Sequence, residues 1–404
     1  MADVLKPRDA KEVEETVRWA LGEEKALEIV GQGTKRAFGR PAQTDFTLDL
    51  SGLTGVTLYE PEELVLSARA GTPLAEIEAL LDENNQQLGF EPMDYGPLFG
   101  LEPGKGSIGG AIAANLSGPR RIKAGAARDH FLGVTAVTGR AETIKSGGRV
   151  VKNVTGYDMC KVLAGSWGTL AAMTDVTIKV LPKPETEVSV FVTGLDDTQA
   201  VQAMVAAVGS SCDVSAAAHL PDHVASWFEG LAGNEAATVL RLEGFAPSVA
   251  HRQEMLVALL KPFGEAALLD VTDSRAFWRS VRQVKPFAAD GTRERSLWRI
   301  STAPSKGHAF AAAITPAAQM FYDWGGGLIW LAMPFANEAD GPSIRGILAK
   351  FGGHATLVRA PASVRASVDV FEPQATGLGG LSKRVKEGFD PKGVLNPGRM
   401  WAGV

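Results

Sequence analysis

This chain of 404 residues has few cysteines and few histidines, and its positive charges do not outnumber its negative ones. Its two cysteines, Cys160 and Cys212, exclude a disulfide framework and a CxxC zinc or iron–sulfur site. The net charge of −5 gives no support to nucleic-acid binding, which needs a basic surface. No apolar run reaches the ~20 residues that a membrane span requires. We therefore predict a cytoplasmic protein that binds no nucleic acid and contacts a membrane only through partner proteins.

The six histidines form no cluster of metal-ligand spacing. His219 and His223 are four residues apart, but Pro221 lies between them and disfavours the helix that would align their rings. The sequence thus predicts no metal site.

The length indicates two or three domains rather than one core. Pro182-Lys183-Pro184 closes the first segment, predicted as residues 1–184. Residues 185–371 alternate strand patterns with alanine-rich helices, and residues 372–404 form a terminal segment. This alternation predicts an α+β fold. Within the first segment, Thr72-Pro73 indicates the start of a helix, with Thr72 as its N-cap.

Glycine is abundant and clustered. The chain has 45 glycines, and eight of them lie between Gly89 and Gly118. The stretch from Gly104 to Pro119 is a glycine loop leading into a turn of helix made of small residues. Such a loop exposes backbone N–H groups and admits a pyrophosphate to a helix N-terminus. A tightly packed glycine–alanine helix in a core is the structural alternative.

A Rossmann nucleotide site is disfavoured, although Gly104-x-Gly106-x-x-Gly109 matches its glycine spacing. The residues before Gly104 make a poor strand. The acidic residue expected about twenty positions later is absent, and the basic residues Arg120, Arg121 and Lys123 follow the loop instead.

Three motifs resemble the vanillyl-alcohol-oxidase and para-cresol-methylhydroxylase family of FAD-binding proteins. They are Val30-Gly31-Gln32-Gly33-Thr34 with Ser107-Ile108-Gly109-Gly110, the block Val151 to Leu170, and the tail Asp390 to Gly398. The block and the tail are similar to the D-lactate and glycolate oxidase branch. The resemblance implies a two-part FAD-binding domain with an α+β cap domain on the substrate side.

The resemblance also implies the residues that bind FAD. Backbone amides of the two glycine loops would hold the pyrophosphate, and the tail would close the site. No histidine lies in the first loop, so FAD is expected to be bound non-covalently. The expected cofactor-binding residues are Gly31, Gln32, Gly33, Thr34, Lys35, Ser107, Ile108, Gly109, Gly110, Ala113, Asn115, Gly118, Asn153, Gly156, Tyr157, Asp158, Gly165, Gly168, Thr169, Val176, Ile178, Asn396 and Arg399.

Catalytic residues are harder to find. Oxidation of a 2-hydroxy acid needs a cation for the carboxylate and a base for the hydroxyl proton. The metal-binding histidine and acid block of the family's catalytic branch is missing. Arg299, on the predicted strand Leu297 to Thr302, and Arg282 are the candidate carboxylate ligands. A solvated or salt-bridged arginine is the alternative reading of both.

The resemblance implies an FAD-binding subunit of a glycolate (2-hydroxy acid) oxidase complex that relays electrons or supports oxidation of glycolate to glyoxylate. Its implied partners are a sister flavoprotein subunit and an iron–sulfur subunit. Two alternatives stay open: a standalone FAD-dependent hydroxy-acid or alcohol dehydrogenase, and a scaffold that has lost flavin.

Overall fold

The fold was analysed in a computed structural model, which describes residues 3–149, 156–231, 233–288, 290–334 and 338–404. Up to residue 182, short strands and helices alternate. In chain order they are β1 (Asp3–Leu5), α1 (Ala10–Gly22), β2 (Leu27–Val30), β3 (Phe46–Asp49), β4 (Val56–Glu60), β5 (Val65–Arg69), α2 (Leu74–Glu83), β6 (Gln86–Gln87), α3 (Ile108–Ala113), α4 (Arg121–Ala124), α5 (Ala127–His130), β7 (Phe131–Thr138), β8 (Thr143–Gly147), α6 (Met159–Leu163), β9 (Ala171–Lys179) and β10 (Leu181–Pro182).

These strands form two main sheets. A parallel sheet has the order β1-β3-β2, and an antiparallel sheet has the order β4-β5-β9-β7-β8. Helix α1 covers the first sheet because Val13, Val17 and Ala20 recur on one side, and Asp9 caps its start by accepting a hydrogen bond from the Glu12 amide. The short strands β6 and β10 pair separately.

From residue 186 the chain builds a second layer of strands and longer helices. In chain order these are β11 (Thr186–Thr193), α7 (Asp197–Val208), β12 (Ala216–Leu220), α8 (Asp222–Ala225), β13 (Ala237–Gly244), α9 (Ala246–Leu260), β14 (Ala266–Leu269), α10 (Val271–Arg282), α11 (Lys285–Ala288), β15 (Ser296–Ser301), α12 (Gly307–Ala312), β16 (Gln319–Asp323), β17 (Leu328–Met333), α13 (Gly341–Leu348), β18 (His354–Arg359), α14 (Ala362–Ser367) and α15 (Thr376–Phe389).

The strands from β11 onward form one antiparallel sheet in the order β14-β11-β13-β12-β16-β17-β15-β18. One face packs apolar side chains such as Val190, Leu240 and Ile300 into the core. The predicted α+β fold class is confirmed. Of the described helices, none is both long and apolar enough to span a lipid bilayer.

The tail returns to the N-terminal sheets. The Asn396 amide donates to the Leu27 carbonyl, and the Leu27 amide donates to the Val394 carbonyl. The fully enclosed Asp390 carboxylate holds this turn by accepting from the Val394 and Leu395 amides and pairing with Lys386 at 2.6 Å. The last residues therefore lie beside β2 and the loop that follows it.

One local prediction is wrong. Helix α2 begins at Leu74, with Pro73 in the cap position, and Thr72 does not cap it. The Thr72 hydroxyl instead donates to the Arg69 carbonyl at 2.7 Å and accepts from the Gly55 amide at 3.0 Å. Thr72 is fully buried, so its hydroxyl bonds the turn before the helix.

Candidate cofactor site

A cleft with about 750 Å³ of empty space, which we call cavity 1, opens between β2, α3, the start of β9 and the tail. Many of the residues expected to bind a cofactor meet here although they are far apart in sequence. Those lining the cleft are Gly31, Gln32, Gly33, Thr34, Lys35, Ser107, Gly109, Gly110, Ala113, Gly168, Asn396 and Arg399.

Two chain segments approach each other closely along one wall of cavity 1. A Cβ atom at Gly31 would lie 2.6 Å from the Ser107 hydroxyl, so no larger residue fits there without a shift. Gly33 has φ of +76°, a conformation that glycine adopts at no steric cost. The Ser107 hydroxyl caps α3 by accepting from the Gly110 amide at 3.3 Å. The wall is thus made largely of backbone, which suits a ligand that binds amide N–H groups.

A positive charge projects into this cleft. The Lys35 ammonium lies 3.3 Å from the position of a Cβ at Gly110. Within the described residues its only polar partner is the Thr34 hydroxyl at 3.4 Å, and no carboxylate forms an ion pair with it. Burial lowers the pKa of Lys35 to about 8, while the charge of Asp94 acts in the opposite direction. A cation without a counter-ion lies here beside the amides of Gly31 to Thr34, for which no acceptor is found in the described part of the chain, and this combination favours an anionic ligand.

The tail supplies a second cation. Arg399 is buried, and its ion pair with Glu28 is loose at 4.0 Å. One guanidinium nitrogen donates to the Lys35 carbonyl at 2.7 Å, whereas Nε has no hydrogen-bond partner among the described residues. Burial lowers the pKa of Arg399 to about 10. The residues of cavity 1 therefore fit a diphosphate-containing cofactor such as FAD.

Asn396 joins the tail to the cavity wall. Its side-chain oxygen accepts from the Ile29 amide at 2.9 Å, and its side-chain nitrogen donates to the Trp167 carbonyl at 2.8 Å. Gly168, with φ of +71°, leaves space for this amide, since a Cβ there would lie 2.8 Å from the Asn396 nitrogen. These bonds fix the wall opposite the glycine loops.

The other expected cofactor residues lie elsewhere. Ile108, Thr169, Val176 and Ile178 are buried in the protein core, and Gly118 packs against the Glu91 backbone. Gly165 sits beside Asn115, outside cavity 1. Gly156 and Asp158 precede α6, which Asp158 caps, and the Tyr157 side chain is 91% exposed. Asn153 lies outside the described residues. For all of these residues, contact with the cofactor stays a prediction.

A second space of about 500 Å³, which we call the aromatic cavity, adjoins cavity 1 through the shared side chain of Trp167. Its walls carry the rings of Phe38, Tyr95, Trp167 and Phe371. Phe38 stacks on Trp167 with ring centroids 4.4 Å apart. Asn115, an expected cofactor residue, also lines it.

Arg299 reaches this aromatic cavity from β15. Its guanidinium lies 4.8 Å from the centre of the Trp324 ring, and no hydrogen bond or ion pair to it is found in the described part of the chain. Burial lowers the pKa of Arg299, while the charges of Tyr95 and Asp323 oppose that change. An arginine without an anionic partner can hold a carboxylate.

Arg282 is placed differently. Its guanidinium pairs with the Glu78 carboxylate and donates from Nε to the Pro92 carbonyl at 2.8 Å. It lines a wide groove between α2 and α10, away from both cavities. This position favours a structural role, joining the two layers, over the predicted binding of a carboxylate.

Sequence reasoning missed the aromatic wall. Trp167 stands between two glycines of a motif and has φ of +52°, a signal that could have marked it. Tyr95 carries no comparable signal. His219 is buried, with Nδ1 2.9 Å from the Thr238 hydroxyl and Nε2 3.3 Å from Asp197. In the residues that the structure describes, no group of three or more side chains could hold a metal ion.

Comparisons with known proteins also point to an FAD-binding protein. The family model described as "FAD binding domain" matches residues 2–147. The chain is 34% identical to the glycolate oxidase subunit GlcE of Escherichia coli K12, with 96% of each chain covered. It is 28% identical to the glycolate oxidase subunit GlcD of Bacillus subtilis over 46% of this chain and 38% of that one.

Solved structures show the fold. A crystal structure of p-cresol methylhydroxylase with bound substrate superposes with a TM-score of 0.73 at 13% identity, covering 99% of this chain and 88% of that one. The expected resemblance to the vanillyl-alcohol-oxidase and para-cresol-methylhydroxylase fold is confirmed, and the cofactor is FAD. The chain belongs to the family of FAD-binding oxidoreductases that includes the GlcE subunit of glycolate oxidase.

Proposed function

We propose that this chain is the FAD-binding subunit of a complex that oxidises glycolate, or another small 2-hydroxy acid, to the 2-oxo acid. The observation that carries the proposal is Lys35, a cation without a counter-ion in a cleft walled by glycine-loop backbone. The names of the relatives GlcE and GlcD support glycolate as the substrate and a multi-subunit complex as the setting.

Cavity 1 would hold the cofactor non-covalently. In this proposal the backbone amides of Gly31 to Thr34 bind the diphosphate, and the small residues Ser107 to Gly110 let it lie close to α3. Lys35 and Arg399 neutralise its charge. Asn396 keeps the tail against this site. When bound, FAD supplies a two-electron acceptor for the substrate. The absence of histidine from the segment Gly31 to Arg36 supports non-covalent attachment.

The aromatic cavity would receive the reacting part of the substrate. Arg299 would bind the carboxylate there, and the rings of Phe38, Tyr95 and Trp167 would limit access of water. This arrangement favours oxidation of the hydroxy acid within this subunit. A pure relay, in which the sister flavoprotein oxidises the substrate and passes electrons to this chain, is the second candidate, favoured by the missing histidine and acid block.

We further infer that the sister flavoprotein and an iron–sulfur subunit complete the complex. We place this complex in the cytoplasm, where any membrane contact is made by a partner. A standalone dehydrogenase would need neither partner, and a scaffold without flavin would need no cation in cavity 1.

Anaerobic mixing of the FAD-loaded chain with glycolate or D-lactate tests the proposal. We expect the flavin absorbance to bleach with a rate that saturates in substrate, and Arg299→Met to raise the substrate concentration needed. The matched control is Arg282→Met, which removes an arginine outside both cavities. Bleaching only after addition of the sister flavoprotein would favour the relay. An unbleached flavin with both subunits present would contradict the proposed function.

A further inference from the structure

The aromatic cavity offers a partner for one negative charge. Of the described residues that line it, only Arg299 is charged, and the other polar side chains are those of Tyr95, Asn115, Ser117 and Thr356. Hydroxyl and amide groups can bond to a neutral part of a ligand, but they bring no second positive charge. A ligand with a second anionic group would therefore lose hydration there without gaining a counter-ion.

Arg299 is held in place while its N–H groups stay available. Its guanidinium lies over the Trp324 ring, 4.8 Å from the ring centre, and the Trp324 indole N–H donates to the Gly118 carbonyl at 3.0 Å. The contact with the ring uses none of the guanidinium N–H groups. Thr356 is paired with Arg299 across β15 and β18 and lines the same cavity. A carboxylate therefore fits at this end of the cavity.

The rest of the cavity wall is apolar. Phe38 stacks on Trp167, and the ring of Phe371 lies 5.6 Å from that of Trp167 and 5.8 Å from that of Phe38. The buried side chains of Met93 and Leu116 line the same space. Because the rings pack on one another, this apolar surface exists before a ligand arrives. It favours an apolar group of the ligand by about fourfold in affinity for each methylene buried.

The aromatic cavity is also larger than glycolate requires. It has about 500 Å³ of empty space, whereas glycolate takes roughly the volume of three water molecules, about 90 Å³. Glycolate bound at Arg299 would leave the aromatic and aliphatic wall in contact with water. An acid with a branched or aromatic side chain would cover that wall and release the water.

We propose that the aromatic cavity selects a 2-hydroxy acid with a single carboxylate and a branched or aromatic apolar side chain, such as 2-hydroxy-4-methylpentanoate. Arg299 binds the carboxylate, and the side chain packs on the wall that contains Phe371 and Met93. This inference rests on the proposed function in the form where the substrate is oxidised in this subunit. It narrows the substrate class, because it disfavours both glycolate and 2-hydroxy acids with a second carboxylate.

Binding of carboxylates that lack the hydroxyl group tests this selection without turnover. Calorimetric titration of the FAD-loaded chain would compare acetate, 4-methylpentanoate and succinate. The last two have nearly the same shape, but succinate has a second carboxylate in place of an isopropyl group. We expect 4-methylpentanoate to bind about a hundredfold more tightly than acetate, because its additional carbons are buried. Succinate should bind at least about tenfold more weakly than 4-methylpentanoate, because its second carboxylate meets no cation.

A second cation in the cavity should reverse the preference between these two acids. Met93→Lys places an ammonium group in the apolar wall, so it should tighten succinate binding by about tenfold and weaken binding of 4-methylpentanoate. The matched control is Met255→Lys on α9, which does not line the aromatic cavity and should leave both affinities unchanged. Retained FAD content and a cooperative thermal transition would show that each variant is folded. The comparison of the three acids in the parent decides the matter even where Met93→Lys does not fold.

Equal affinities of the parent for acetate and 4-methylpentanoate, or tighter binding of succinate, would overturn the inference. A parent that binds none of the three acids would do the same, since the flavin ring then leaves no room for a ligand in this cavity. So would a folded Met93→Lys protein with the preference of the parent. A different result would contradict the proposed function: tight binding of 4-methylpentanoate, but no bleaching of the flavin by glycolate or 2-hydroxy-4-methylpentanoate even with the sister flavoprotein. The measured preference of the cavity would stand in that case.

Discussion

Two regions of the molecule build their cavities from different atoms. In residues 3–182, cavity 1 is walled by the backbone of glycine loops, and Lys35, Arg36 and the tail residue Arg399 bring charge to it. In residues 186–359, the groups that reach the aromatic cavity are the side chains of Arg299 on β15 and Thr356 on β18. A backbone-built site needs glycine at fixed positions and so leaves a visible pattern. A site built from side chains on separate strands leaves none.

The two regions are joined by a buried network of charges, and breaking it should have the largest effect. Arg241 is 2% exposed and bonds both oxygens of Glu91 at 3.0 Å, while Arg120 bonds Glu243 at 3.0 Å. Arg241→Met would leave Glu91 and Glu243 with one cation between them. We expect the free energy of unfolding to fall by about 3–5 kcal/mol.

Chemical denaturation measures this change. The matched control is Arg279→Met on α10, an exposed arginine whose side chain makes no hydrogen bond or ion pair in the described part of the chain. It should change stability by less than about 0.5 kcal/mol. If Arg241→Met were as stable as the parent, the buried network would not join the regions energetically.

Gly109 and Gly110 separate the folding role of the glycine loop from its binding role. A Cβ at Gly109 would lie 2.7 Å from the Ala70 carbonyl, so Gly109→Val should destabilise the fold. A Cβ at Gly110 would instead face the Ser107 hydroxyl and the Lys35 ammonium, at 3.1 and 3.3 Å. Gly110→Val should therefore keep the fold and weaken FAD binding by about 3 kcal/mol.

Titration of the apoprotein with FAD, followed by flavin fluorescence, measures this loss. Gly346→Val is the control, since a side chain at Gly346 on α13 meets nothing within 4 Å. Tight FAD binding by a folded Gly110→Val protein would show that the anion does not lie beside α3.

Lys35 should make the affinity of cavity 1 for FAD depend on pH. Its pKa of about 8 without ligand should rise when a diphosphate binds, so binding takes up a proton above that pH. FAD affinity should be constant below pH 8 and fall by about tenfold by pH 9. In the apoprotein, the lowered pKa has the opposite sign: it adds stability above pH 10.5 that is lost as pH falls through 8.

Lys35→Met should weaken FAD binding by about 1.5–3 kcal/mol at pH 7 and remove this pH dependence. The quantity to measure is the dissociation constant of FAD between pH 6 and pH 10. A parent whose affinity does not change between pH 7 and pH 9 would contradict a charged Lys35 at the diphosphate.

The sequence predicted the parts of the molecule that depend on local geometry. Helix α7, Asp197–Val208, and strand β17, Leu328–Met333, lie within residues 185–371, where the sequence predicts strands alternating with helices. Strand β12, Ala216–Leu220, is not predictable by itself, since a run of alanines has no strand pattern and only its central position in the sheet selects that conformation.

The same distinction applies to the candidate sites. Lys35 directly follows the motif Val30 to Thr34, and Gly110 ends the motif Ser107 to Gly110. Their meeting in cavity 1 could therefore be expected from the motifs. Arg299 and Thr356 become neighbours only through the pairing of β15 with β18, which is a long-range choice of the sheet. Arg282 was a candidate substrate ligand, but its position favours a structural role. A basic residue on a helix gives no sign in the sequence that Glu78 and Pro92 will bond to it.

The most direct test of the account is the flavin content of the purified full-length chain before and after denaturation. Cavity 1 with its unpaired Lys35 predicts a yellow protein with about one FAD per chain, all of it released into the supernatant when the protein is precipitated. Flavin that stays with the precipitate would contradict non-covalent binding. A colourless protein that cannot be reconstituted with FAD would contradict the assignment of cavity 1 itself.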